Sequence, residues 1–307
     1  MLFTIAINAL CRLLKFMMIT LMSLLLGFKS THPNWMSDKY FIKVFWKQVM
    51  DYPLDLKHPE TFNEKLQWMK LYDRNPLYTL LVDKLKVKQW VAERIGDEHV
   101  IPTLAVYDSI DDIRLEDLPN QFVLKCNHDS GGVVICKDKG SFDLDVAKAR
   151  LRKSFDHNFY WNYREWAYKN VERKIFAEQF IQDKLTPEDL MDYKVFNFGG
   201  EPRLIQVDFD RFKRHKRNLY DTAWNYIEAR IQYPNAPQHI IDKPKALEEM
   251  LRMAERLSEG LHQVRTDFYL IDDRVYFGEM TFYHGGGYER FEPHSLGLQM
   301  GEWIKLP

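Results

Sequence analysis

Two short apolar runs near the C-terminus, residues 267–271 and 275–279, are separated by Asp272-Asp273, and their outer ends are both acidic. Strand-length runs around an Asp-Asp turn predict a β-hairpin, and a hairpin brings its outer ends together. Asp267 and Glu279 then end adjacent strands and can face each other. Hard carboxylate oxygens in such a pair suit magnesium, which takes one or two carboxylates together with phosphate oxygens. Arg265, two residues before Asp267, can neutralise charge that develops in phosphoryl transfer. A surface salt-bridge network is the alternative, and the hairpin alone does not choose between them.

Two further segments place polar groups at strand ends. In Phe122-Val-Leu-Lys125-Cys-Asn127-His128-Asp-Ser130-Gly131-Gly132, a lysine ending a buried strand costs free energy unless its ammonium meets an anion. The Ser130-Gly131-Gly132 turn can aim successive N–H groups at one spot, as an anion nest does. A plain hairpin with an exposed lysine is the bland reading. In residues 176–181, Glu178 precedes an apolar stretch, which suits an adenine slot in which a carboxylate accepts from the exocyclic amine. A surface glutamate would look the same. Phosphate loop, adenine edge and carboxylate pair nevertheless follow one another in the order of a single nucleotide site.

The remainder predicts a mixed chain. Helical spacing marks residues 64–72, with Thr61 and Glu64 as a capping box, then 83–95 ended by Gly96, 143–155 and 243–261. Strands are expected at 100–106, 121–125, 133–136, 174–181, 193–198 and 203–207, the last two joined across Gly199-Gly200. Residues 30–59, aromatic, basic and broken by prolines, read as a connecting arm. Helices mixed with hairpins indicate an α+β architecture, and 307 residues allow two or three lobes around one cleft. A net charge of −1 gives no sign of nucleic acid as a partner. Three cysteines without CxxC spacing predict free thiols and a reducing compartment; a Cys126–Cys136 pairing across the hairpin is the alternative.

Residues 2–28 are apolar apart from Asn8, Arg12, Lys15 and small polar residues. The uncharged part, 16–28, would span roughly 20 Å as a helix, short of the ~30 Å hydrocarbon core. A signal peptide, a helix packed on the protein and a peripheral anchor compete. The weak cleavage site at 27–30 favours an anchor on the inner face of the plasma membrane of a cytoplasmic protein.

Several long pieces, taken in order, carry a resemblance to a known family: His58-Pro-Glu-Thr-Phe-Asn-Glu-Lys65-Leu-Gln-Trp-Met, Asp83-Lys84, Gln121-Phe-Val-Leu-Lys125-Cys-Asn-His128, Asp192-Tyr-Lys-Val-Phe-Asn-Phe198 and Tyr276-Phe-Gly-Glu279-Met-Thr-Phe282. From about residue 54 to 307 the chain resembles the TupA-like ATP-grasp proteins of bacterial surface-polysaccharide loci. The resemblance implies an α+β ATP-grasp fold, two lobes clamping ATP with a reduced N-terminal lobe. It divides the chain into an apolar segment and candidate anchor (1–30), a helical arm with the reduced lobe (31–105), a small lobe with the phosphate loop (106–180) and a large lobe with the metal site (181–307).

Carried over residue by residue, Lys84 and Lys125 resemble the two lysines that hold ATP phosphates, Lys125 also acting in catalysis. Ser130, Gly131 and Gly132 fall in the phosphate-covering loop. Glu178 matches the adenine acid, with Phe180 and Ile181 supplying the backbone edge, and Asp192 falls near the ribose acid. Asp267 and Glu279 match the magnesium ligands, and Arg265 the arginine at the transferring phosphate. Thr281 stands where an asparagine is common, and its hydroxyl can still bind Mg2+. The implied activity is ATP- and magnesium-dependent ligation through an acyl phosphate, joining an amino acid to a uronic acid of an acidic sugar or polysaccharide.

Competing readings are a nucleotide-sugar glycosyltransferase, for which Asp208-Phe209-Asp210 offers a DXD-like motif, and a non-catalytic membrane-associated scaffold. The aromatic stretch 159–168 would either stack on sugar rings or fill the core. The basic run 211–217 would hold a glycan or phosphate, or lie in solvent.

Overall fold

The computed structural model describes residues 36–182, 191–209, 215–239 and 241–307. The readings placed on residues 1–30, on Asp210 and on Arg211 to Arg214 of the basic run lie outside these. Among the described residues no helix is long and apolar enough to cross a membrane.

The arm expected at 30–59 contains a helix, α1 (Asp38–Val49), whose start is capped by Ser37 Oγ accepting from the Tyr40 N–H at 3.3 Å. Phe41, Ile42 and Trp46 form its buried stripe, a helical spacing that the surrounding prolines obscure. Asp38 ties the helix down, accepting from Tyr160 Oη at 2.5 Å and lying 3.4 Å from Arg164 Nε. Tyr160 is fully buried, so this part of the aromatic stretch is core. Helix α2 (Phe62–Tyr72) has the expected Thr61–Glu64 capping box, and Phe62 packs edge-on against Phe196, Phe198 and Phe291.

A single helix over 83–95 does not form. Helix α3 (Leu77–Val82) and helix α4 (Val87–Ile95) flank a turn instead. Asp83 explains the break, because its side chain accepts from the Leu85 and Lys86 N–H groups at 3.0 and 3.1 Å and competes with helix continuation. Lys84 therefore sits in a turn, and its own N–H donates to the Asn127 carbonyl at 2.9 Å.

Among the described residues, two large antiparallel sheets carry most of the rest. The smaller contains β1 (Thr103–Tyr107), β2 (Phe122–Cys126), β3 (Val133–Cys136) and β4 (Ile175–Gln179), in the order β1-β4-β2-β3. Phe122, Leu124 and Cys126 alternate onto one face and form a core with Leu151 of α5 (Leu144–Phe155). Cys126 and Cys136 are buried free thiols at opposite ends of the β2–β3 ladder, where Cys136 pairs with Phe122.

The larger sheet runs β11-β10-β5-β6-β7-β8, from β5 (Asp192–Phe198), β6 (Glu201–Phe209), β7 (Lys216–Tyr220), β8 (Tyr226–Ile227), β10 (Gln263–Ile271) and β11 (Arg274–Thr281). The β5–β6 turn uses Gly199 and Gly200 at φ 60° and 88°, conformations that glycine adopts without steric cost. Short strands β9 (Arg230–Ile231) and β12 (Phe291–Glu292) pair separately. After α6 (Tyr160–Tyr163), the remaining helices are α7 (Leu247–Ser258), which buries Met250, Ala254 and Leu257, and α8 (His294–Trp303).

Candidate active site

Strand register sets the floor of the site. Asp267 pairs with Glu279 on one side and Lys194 on the other, and Lys194 pairs with Gln206. The adjoining row on the same face is Tyr269, Asp192, Asp208 and Arg217. These strands thus present rows of ionic side chains on one face, and the opposite face buries Val264, Phe268, Val195 and Val207.

One irregularity makes this arrangement work on β11. Strict alternation would put Phe277 on the same face as Glu279. The register shifts at this point, with Asp267 opposite Glu279 and Phe268 opposite Phe277, which leaves Gly278 as an extra residue. Glu279 and Thr281 then face the cleft, and Phe277 and Met280 stay in the core. A Cβ at Gly278 would stand 3.1 Å from the Asp267 carbonyl oxygen.

The acids are held by cations. Arg265 grips Asp267 with two prongs, Nε to Oδ1 at 2.6 Å and Nη2 to Oδ2 at 2.7 Å, and Lys194 Nζ adds a third contact at 2.9 Å. Burial pushes the Asp267 carboxyl up, with Arg265 and Lys194 opposing. Arg265 Nη2 also donates to Thr281 Oγ1 at 3.1 Å and lies 3.4 Å from Glu279 Oε1. Burial works against the Glu279 charge, yet Lys84, then Arg265 and Lys194, hold it well below the usual carboxylate range. Asp192 is ion-paired with Lys194.

Lys84 joins the two sheets. Its Nζ donates to the Asp129 carbonyl at 2.6 Å, in the loop after β2, and lies 3.0 Å from Glu279 Oε2. In that loop Ser130 and Gly131 are exposed, and the Gly132 N–H donates to the Asp129 carboxylate at 2.9 and 3.1 Å. Gly132 has a packing reason to be glycine, since a Cβ there would sit 2.8 Å from Cys126 Sγ.

On the smaller sheet, Lys125 and Glu178 are ion-paired, and Lys88 Nζ reaches Glu178 Oε1 at 2.6 Å. Burial opposes the Glu178 charge, and Lys125 and Lys88 outweigh it, holding the carboxyl low. Leu104, Val106 and Ile135 are exposed on these strands, leaving apolar surface beside Glu178. Phe180 and Ile181 follow the last residue of β4 and are half-buried.

The structure therefore brings Arg265, Asp267, Glu279, Thr281 and Lys84 into one cluster with Asp192 beside it through Lys194. Lys125 and Glu178 form a second ion-paired group on the smaller sheet. Several ionic neighbours were not anticipated. Lys194 lies in a quoted motif and Lys88 in the helix expected at 83–95, and an Asp-x-Lys alternation inside an apolar strand was the available signal for Lys194. Arg217 Nε lies 2.8 Å from Asp208 Oδ1, and its Nη1 lies 2.7 Å from Glu289 Oε2, so Asp208 of the DXD-like motif is committed to an internal partner. His284 lies between Arg265 and Glu289. Glu165 is also close; burial pushes its carboxyl up to about 7, with Lys70 and Arg265 opposing.

Among the described residues no three histidine, cysteine or acidic side chains form a ready metal cluster. The donor set still fits magnesium, which needs only one or two carboxylates beside phosphate oxygens. Glu279, with 28% of its side chain exposed, is open to a ligand, and Asp267 at 2% sits behind it.

A chain with two antiparallel sheets, a glycine-bearing loop over one and an acid pair on the other has the architecture of an ATP-grasp protein. The family model for TupA-like ATPgrasp matches residues 64–305, and the chain belongs to that family. No curated protein sequence matches it. Among solved structures, it is similar to the D-alanine–D-alanine ligase from Bacillus anthracis complexed with ATP, at 13% identity and a TM-score of 0.38, covering 66% of this chain and 54% of that one. For the Helicobacter pylori D-alanine–D-alanine ligase the values are 17%, 0.42, 80% and 69%. For an ATP-grasp RimK domain protein from Sphaerobacter thermophilus they are 15%, 0.38, 74% and 69%. The chain thus spans about half the length of the first of these.

Proposed function

We propose that this protein is an ATP- and magnesium-dependent carboxylate–amine ligase. The observation that carries the reading is the Asp267–Glu279 pair, register partners on one face, with Arg265 and Lys84 contacting them from two directions. In this reading the adenine lies against the exposed apolar strands near Glu178, and Lys84 and Lys125 turn to the phosphates. Ser130, Gly131 and Gly132 belong to the loop that covers them, and Asp192 lies on the ribose side.

Glu279 and Asp267, with Thr281 beside them, would hold magnesium, which supplies charge neutralisation at the phosphates when bound. Arg265 lies where it can meet charge on the transferring phosphoryl group. The substrate carboxylate is activated as an acyl phosphate, and the amine displaces phosphate to form the amide. Closing the loop keeps water from the activated acyl group. The acceptor class we favour is the uronic acid of a surface-polysaccharide sugar, joined to an amino acid, a reading that rests on the family likeness alone.

Thermal unfolding with ATP–magnesium, set against a UDP-sugar, tests this in the wild type and in Glu279→Ala. Ligand at 100 times its dissociation constant stabilises by about 2.7 kcal/mol. The ligase reading expects that gain with ATP–magnesium in the wild type and its loss in the variant. Stabilisation by the UDP-sugar alone would replace it with the glycosyltransferase reading.

A further inference from the structure

We infer that His284 is a positioning residue that sets the Arg265 guanidinium for the terminal phosphate of ATP. The inference rests on the proposal that this cleft takes ATP, and it adds a residue to which no role has been given.

The argument starts from hydrogen-bond chemistry. His284 Nδ1 lies 2.5 Å from Arg265 Nη1. A guanidinium has donors and no acceptor, so Nδ1 must present its lone pair. The ring proton then resides on Nε2, which lies 2.8 Å from Glu289 Oε2. The same glutamate oxygen receives Arg217 Nη1 at 2.7 Å. His284 therefore presents the Nδ1 lone pair of a neutral ring to Arg265, with the Glu289 carboxylate close to Nε2 though outside hydrogen-bond geometry. Its ring also packs edge-on to Phe196, with centroids 5.0 Å apart.

Arg265 needs such a partner. Its Nε and Nη2 are taken by Asp267, so Nη1 is the arm left to orient. At 7% exposure, an Nη1 without an acceptor would be a buried unpaired donor, which costs on the order of 1–3 kcal/mol. A neutral imidazole satisfies Nη1 without cancelling the arginine charge. An aspartate in its place would bind Nη1 and consume the charge that the phosphate requires.

The backbone behind His284 is built to hold it. Gly285, Gly286 and Gly287 all have positive φ, 54°, 61° and 71°. Lys70 Nζ donates to the Gly286 carbonyl at 2.5 Å, and Gln67 Nε2 to the Gly287 carbonyl at 2.8 Å. Lys70 also donates to Gln67 Oε1 and the Tyr163 carbonyl, both at 2.9 Å, so all three of its protons serve this anchorage. Helix α2 thereby fixes the turn that presents the histidine to the arginine.

The test compares equilibrium binding of ADP–magnesium with that of a β,γ-imido ATP analogue and magnesium. Three variants are used: His284→Leu, His284→Asn and His284→Gln. Asparagine can place its Oδ1 where Nδ1 stands, and glutamine reaches the Nε2 position and leaves Nδ1's place empty. The wild type is expected to prefer the triphosphate analogue. His284→Leu and His284→Gln should weaken analogue binding about tenfold, the scale of one charged hydrogen bond, with ADP binding unchanged. His284→Asn should recover most of the preference.

The Asn and Gln pair decides the matter even where the leucine variant does not fold. A preference for the analogue that survives in both His284→Leu and His284→Gln overturns the inference. So does an equal loss for both nucleotides, or an Asn variant no better than Gln. A wild type that binds neither nucleotide removes the ATP reading itself, and this inference with it.

Discussion

Asp267 stands directly opposite Glu279 across β10 and β11, and the extra residue at Gly278 puts both carboxylates on the cleft face. Without that residue the alternation of β11 would bury an acid or expose Phe277. The bulge lets one strand serve the core and the site together.

Lys84 links that acid pair to the loop on the other sheet, through Glu279 and the Asp129 carbonyl. Lys84→Met should abolish the stabilisation by ATP–magnesium and loosen the loop without nucleotide. Amide hydrogen exchange at residues 127–132 should rise in the variant, and unchanged protection would show that Lys84 is no latch.

Gly301 on α8 lies against the start of α2, where a Cβ would come 1.9 Å from the Glu60 carbonyl oxygen. Backbone cannot rotate out of the way as a side chain can. Gly301→Ala should therefore destabilise by about 3 kcal/mol or more, the upper range for overpacking, measured by urea unfolding. A loss under about 1 kcal/mol would mean the two helices separate easily.

Glu289 titrates far below an exposed glutamate. Burial opposes its charge, but the His284 ring beside it and the Arg217 guanidinium hold the carboxyl low. A folded value below the unfolded one contributes stability that is full above about pH 4.5 and is lost as pH falls toward 2. Glu289→Gln should be less stable than wild type at pH 6, with the gap narrowing as pH falls to 2.5. A gap independent of pH would contradict the assignment.

Glu165 behaves in the opposite sense, its carboxyl raised by burial to about 7. Here the folded state holds the proton more tightly, so stability drops as pH rises from about 4.5 to 7. Glu165→Gln, which cannot ionise, should escape that drop and exceed wild type at pH 7.5 by on the order of 2 kcal/mol, with Lys70 tempering the difference. At pH 4 the two should coincide. Denaturant unfolding at both pH values reads this directly.

Features encoded by neighbouring residues were legible before the fold was seen. The Thr61–Glu64 capping box, the Gly199-Gly200 turn and the 267–279 hairpin each depend on a few consecutive side chains. Helix α1 was hidden because prolines at 33, 53 and 59 outweighed the spacing of Phe41, Ile42 and Trp46. The break before α4 turned on one competing acceptor, Asp83, in an otherwise helical pattern. His284, Glu289 and Arg217 could not be paired in advance, because they meet only when β7, β11 and the glycine turn pack together. Gly278 was visible inside a strand pattern and was the one hint of the bulge.

The charges of the cleft neutralise one another before any ligand arrives. Lys84, Arg265 and Lys194 are already paired with Glu279, Asp267 and Asp192. In the proposed ligase, nucleotide entry would be a substitution, in which each phosphate oxygen displaces a carboxylate and each displaced carboxylate needs a new cation. Neither half is favourable alone. ATP without a divalent ion, and the ion without ATP, should each bind poorly, and each should raise the other's affinity by the same factor.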